Sequence, residues 1–156
     1  MRITGILGKL QQPTPILHPN DLSRCIEACT STTANCLVCS DACVQEENAH
    51  ELMHCSRVCQ DTADICTVTS RIISRQLSPD WGLVRRMLQM CSVSVGLCAA
   101  ECDRFSSYLP YCEECASVCR ECQQACHLLM ESLPPASHVA YGEAYEKPEY
   151  AGKYQK

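Results

Sequence analysis

Aromatic residues are scarce: they make up 5% of 156 residues, with one Trp and one Phe, so the core cannot be built on rings. Positive charge is also short. Thirteen Lys and Arg stand against eighteen Asp and Glu, a formal net charge of -5. That balance argues against nucleic acid as the main partner, because phosphate binding needs a basic face. No apolar run reads as membrane-spanning. The opening stretch MRITGILGKLQQPTPILHPN has one early Arg and a short apolar patch broken by Gly5, Gly8 and Lys9. It has no small-residue cleavage site and does not read as a signal peptide. The expected setting is therefore a reducing cytoplasm, with no membrane partner.

What the chain has in excess is cysteine: 16 residues, roughly one in ten. Usage at that level means either a disulfide scaffold or a metal site. A disulfide scaffold belongs to secreted proteins, and thiols in a reduced interior more often hold metal.

Three zones divide the chain. Residues 1–19 carry Pro13, Pro15 and Pro19 and read as an irregular arm. Residues 20–133 hold every cysteine, with only Gly82, Gly96, Pro79 and Pro110 as breakers. Residues 134–156 open on Pro134 and Pro135 and carry Tyr141, Tyr145, Tyr150 and Tyr154 in a polar background. This tail reads as flexible, or as an arm that orders on a partner. Start and stop signals cut the middle zone into four helices, about 21–47, 48–77, 79–106 and 109–133. Asn20 or Asp21 is expected to cap the first, and Asn48 with Glu51 resembles a capping box for the second. Ser78, Pro79 and Asp80 open the third. Ser107 and Pro110 mark the last break. Short connections make neighbouring helices antiparallel, so the expected fold is all-α, an up-down-up-down four-helix bundle with a cysteine-lined core.

Cysteine spacing carries the argument. Cys25, Cys29, Cys36, Cys39 and Cys43 fall at steps of 4, 7, 3 and 4, one narrow face of a helix. Cys55, Cys59 and Cys66 form a second stripe with Thr62, Thr69 and Ile73. Cys91, Cys98 and Cys102 form a third with Val84, Met87 and Val95. Cys112, Cys115, Cys119, Cys122 and Cys126 form a fourth, with Met130 in line. Cysteine thus takes the positions where a bundle ordinarily puts Leu or Ile. A lone buried cysteine is a small hydrophobe, but four aligned stripes of them leave an underfilled core, and cavities destabilise.

A cationic occupant answers this. Soft sulfur ligands select Cu(I), Zn or Fe–S clusters. Cu(I) at about one ion per thiolate leaves the interior near neutral, whereas Zn with four thiolates leaves each site at about -2, buried and costly. Cysteine pairs at i,i+3 and i,i+4 also suit a linear two-thiolate site. The expected cargo is therefore several Cu(I) ions per chain. The competing reading is a disulfide-stapled structural or interaction protein. Against it, many pairs lie on one helix face, where a bridge would close only a tiny loop. A thiol redox enzyme is disfavoured because the cysteines run through continuous helices, and a cluster-binding ferredoxin because its closing Cys-Pro is absent.

The stretches CIEAC, CLVCSDAC, DTADIC, LCAAECDRF and YCEECASVCRECQQAC resemble the bacterial four-helix-bundle copper storage proteins, especially the cytosolic branch. The resemblance covers about residues 21–131. It implies a homotetramer of bundles, each filled with many Cu(I) ions and without catalytic turnover. This chain departs from the family pattern in places. Thr32 and Thr62 stand where cysteine is usual, Cys59 where an acid is frequent, and Phe105 and Tyr111 where histidines usually flank the last turn.

Antiparallel order gathers Cys43, Cys55, Cys102 and Cys112 at one end, with His50, Met53 and His54 nearby. Soft Met and neutral His can pass Cu(I) inward, so this end is the expected mouth and these three the expected auxiliary ligands. On a helical wheel, however, His50 and His54 lie about 100–140° from the cysteine stripe, which also fits plain surface. Ile73, Val84, Met87 and Met130 read as an apolar plug at the other end, where Met87, Met90, His127 and Met130 could form a second gate.

Overall fold

The computed structural model describes residues 17–76 and 79–134. The expected arm, apart from Leu17, His18 and Pro19, and the tyrosine tail lie outside these residues, as does Ser78. Four helices run α1 Pro19–Cys43, α2 Ala49–Ile73, α3 Trp81–Asp103 and α4 Pro110–Ser132. At 25, 25, 23 and 23 residues, each is about 35–38 Å long. No strand occurs among the described residues.

The helix boundaries differ from expectation for local reasons. Pro19 occupies the first turn of α1, so the cap position is His18, not Asn20 or Asp21; proline's fixed φ is already helical there. Asn48 does cap α2 by position but makes no side-chain bond to the backbone. Its Nδ2 instead donates to Glu51 Oε2 at 3.1 Å. The third helix starts at Trp81, not Pro79, because Asp80 Oδ1 accepts from the Leu83 amide at 2.9 Å. α4 opens on Pro110 behind Leu109.

Each helix packs on two neighbours: α1 on α2 and α4, α3 on α2 and α4. No diagonal pair of helices meets through its backbone among the described residues. The arrangement is a square, antiparallel bundle around a central axis. Polar side chains stitch its walls. Ser40 Oγ lies 2.9 Å from Ser56 Oγ, and Gln60 Nε2 donates to Ser40 Oγ at 2.9 Å. Ser92 Oγ lies 2.7 Å from His127 Nε2, and Gln123 Nε2 donates to the Ser92 carbonyl at 3.0 Å. Gly96 makes room for that last bond, since a Cβ there would sit 2.6 Å from Gln123 Nε2.

Helix α3 carries apolar residues on two faces. Its length and its mean hydropathy of 1.2 over 18 residues would allow it to cross a membrane by composition alone. Part of that hydropathy sits on an outward strip, Met90, Val93 and Leu97, each more than half exposed. The other face carries Cys91, Cys98 and Cys102 into the core.

Candidate metal centre

The stripes meet. All sixteen cysteines are free thiols and all are buried, and none exceeds 1% exposure. Their sulfurs cross the bundle axis: Cys29 reaches Cys91 at 3.9 Å and Cys36 reaches Cys98 at 3.8 Å, both α1 to α3 on the diagonal. Wall neighbours join them. Cys36 is 3.7 Å from Cys115 and 3.9 Å from Cys119, Cys59 is 3.7 Å from Cys98, and Cys66 is 3.7 Å from Cys91. These separations are thiol contacts, well beyond the bond of about 2.0 Å in a disulfide.

Sulfur atoms gather into sets mutually within 4.8 Å. They are Cys29, Cys66, Cys91 and Cys122; Cys36, Cys98, Cys115 and Cys119; Cys39, Cys59, Cys102 and Cys115; Cys39, Cys43, Cys55 and Cys112; and Cys25, Cys29 and Cys126. Every cysteine belongs to at least one set. Several sets share a member, so a bound ion in one would lie beside an ion in the next.

Protonation follows the contacts. S–H donation from Cys115, Cys119 and Cys59 holds Cys36 down to about 6. Cys126, Cys29 and Cys66 hold Cys122 down to about 5, and Cys102 and Cys119 hold Cys115 down to about 6 against its own bond to Cys36, which raises it. Others keep their protons. Hydrogen bonds to Cys102 and burial push Cys59 up, and the bond to Cys122 with burial pushes Cys66 up. The array is thus a mixture of thiolates and the thiols that donate to them. Cu(I) replacing those protons would leave charge nearly unchanged.

The second-tier residues fall outside. His50 and His54 are exposed and join none of these sets, and Met53 is 68% exposed. The reason is angular: Leu52, three residues before Cys55, takes the inward position and is fully buried, which turns Met53 and His54 away from the axis. The expected mouth is closed by Leu52, Phe105 and Leu109. Beside it Tyr111 donates to Glu46 Oε1 at 3.0 Å; burial, that bond and the nearby Cys43 push the Tyr111 phenol up. At the other end Met87 and Met130 are only half-buried, Met90 and His127 are exposed, and the closure is made by Leu22, Ile73, Val84, Leu88 and Leu129. Spacing on the stripes, read one step past the last cysteine, points to Leu52, Leu88 and Leu129. Glu46 with Tyr111 leaves no such periodic signal, because Glu46 lies in the connection after α1.

A helical bundle whose interior is a connected set of reduced thiols defines a class, the soft-metal-binding bundles. A profile of the copper storage proteins matches residues 18–131, and the chain belongs to that family. Among solved structures, the copper storage protein Ccsp of Streptomyces lividans loaded with 10 copper equivalents is 33% identical, with a TM-score of 0.78 over 83% of this chain and 99% of that chain. The same cytosolic protein with five coppers is 36% identical, with a TM-score of 0.73 over 74% and 96% of the two chains. A Bacillus subtilis (strain 168) relative, the uncharacterised cysteine-rich protein YhjQ, is 28% identical over 102 residues, 65% of this chain and 89% of its own.

Proposed function

We propose that this chain stores several Cu(I) ions by thiolate coordination along the bundle axis, with the sixteen buried cysteines as ligands. The observation that carries the reading is the overlap of the sulfur sets, since Cys29, Cys39 and Cys115 each belong to two of them. Shared sulfurs suit bridged Cu(I), whereas a Zn site holds its thiolates in closed groups of four. The role is sequestration without turnover, in the cytosol, as in the Streptomyces neighbour described as a cytosolic copper storage protein.

His50, Met53 and His54 serve in this reading as transient surface ligands that deliver copper to the nearby end, not as part of the store. Self-association into a tetramer is supported by the open groove between α2 and α3, lined by Val58, Ile65, Met90, Val93 and Leu97.

The test is an anaerobic titration of the reduced chain with Cu(I) against a competing chelator. Uptake of about one ion per thiol is expected. Uptake of about four or fewer would point to closed tetrathiolate sites and defeat the storage reading.

A further inference from the structure

The thiol interior is interrupted at one level. On α1, Thr32 stands between Cys29 and Cys36; on α2, Thr62 stands between Cys59 and Cys66; on α3, Val95 stands between Cys91 and Cys98. All three are fully buried. Contacts across the bundle set the register: Cys29 pairs with Cys91 and Cys122 on one side of this layer, and Cys36 with Cys98 and Cys119 on the other.

The two hydroxyls in the layer are already engaged with the walls. Thr32 Oγ1 donates to the Val118 carbonyl at 3.4 Å. Thr62 Oγ1 lies 3.3 Å from the Ser94 carbonyl and 2.9 Å from Ser94 Oγ. A soft cation at this level would find alkyl groups and hard, occupied oxygens, neither a ligand for Cu(I). Cysteines seven residues apart on a helix are separated by a rise of about 10.5 Å. Two sulfurs sharing one ion lie within about 4.6 Å, twice a metal–sulfur bond. Only α4 carries sulfur close to both sides, at the i,i+3 pair Cys119 and Cys122; these fall in different sets, and no set of three or more sulfurs straddles the layer.

We propose that Thr32, Thr62 and Val95 form a partition that divides the store into two compartments, of six and ten thiols, which load and release Cu(I) separately. The proposal rests on the storage reading. The smaller compartment holds Cys25, Cys29, Cys66, Cys91, Cys122 and Cys126, and the other ten cysteines form the larger. Both compartments are capped at their outer ends, but the cap of the smaller is the tighter, since Phe105 and Leu109 over the larger are 6% and 7% exposed. The partition bounds the smaller inward, and Leu22, Ile73, Leu88 and Leu129, each no more than 2% exposed, bound it outward. Copper there crosses alkyl packing to leave in either direction, so this compartment exchanges slowly.

The full chain, reduced and saturated with Cu(I) without oxygen, is challenged with excess of a soluble Cu(I) chelator and release is followed by absorbance. Two phases are expected, with amplitudes near ten to six and rates separated by about tenfold or more. Val95→Cys, which puts a sulfur into the layer, is expected to merge the phases and raise capacity by about one ion. Should its circular dichroism show loss of helix, the Thr32→Cys/Thr62→Cys pair makes the same test from the other two walls. Single-phase release from the parent chain overturns the partition, as do two phases unchanged in a folded variant. Uptake limited to about four ions fails differently, at saturation, and removes the storage reading together with this one.

Discussion

At the scale of the residue, the controlling fact is that neighbouring thiols set each other's charge. Cys36, held down to about 6 by S–H donation from Cys115 and Cys119, and Cys122, held down to about 5, ionise readily near neutral pH, while Cys59 and Cys66 are pushed up and keep their protons. A lowered value means that the charged form persists above it and is lost as pH falls through it. The first Cu(I) ions at pH 7 should therefore meet ready thiolates and release clearly less than one proton each, with later ions releasing about one. A pH indicator read during the titration checks this. Apparent affinity for the first ions should weaken between pH 7 and pH 5, and a pH-independent first step would contradict it. Contact number separates the cysteines further. Cys36 lies against Cys98, Cys115 and Cys119, whereas Cys25 has its one sulfur contact within 3.9 Å at Cys126. Cys36→Ser is expected to lower the number of ions bound by more than Cys25→Ser does, as counted by native mass spectrometry.

At the scale of the element, α3 depends on one side chain for its start. Asp80 accepts the Leu83 amide and also places an acid at the positive end of the helix. Asp80→Ala is expected to cost about 0.5–2 kcal/mol, read by chemical denaturation of the metal-free chain. This cap illustrates what the sequence made legible and what it did not. The steps between Cys25, Cys29, Cys36, Cys39 and Cys43 fix one face of α1, and that face is fully inward in the fold, because a 100° period leaves one burial solution for five aligned residues. Helix starts were less legible. Pro19 moves the cap back to His18, and Asp80 reaches the Leu83 amide in a segment where Ser78 also looked suitable. Caps are single-residue choices among several competent side chains, with no periodicity to decide them. His50, Met53 and His54 share the same limit: chemistry commended them, yet Leu52 held the inward angle and left them on the surface.

At the scale of the whole molecule, the bundle presents an unbalanced exterior. Met90, Val93 and Leu97 stand 55–63% exposed along α3, beside the groove against α2. Contiguous apolar surface of this kind marks an interaction site, and a second copy of the chain is the occupant under the tetrameric reading. Leu97→Glu is expected to shift the chain toward monomer in light scattering while leaving the copper count per chain unchanged. A mass that does not fall would remove α3 from the interface.

Among the described residues the walls of this bundle touch side by side, while opposite helices make no backbone approach and meet through side chains, sulfur to sulfur at Cys29 with Cys91 and Cys36 with Cys98. Cargo bound there acts as mortar, tying α1 to α3 where their backbones do not approach each other. Each ion held at a hundred times its dissociation constant adds about 2.7 kcal/mol against unfolding. The melting temperature should climb stepwise with occupancy, and amide exchange should slow most on those two facing helices. Rigidity then becomes a gauge of how full the vessel is, and a protease encountering the chain reads that gauge without touching the metal.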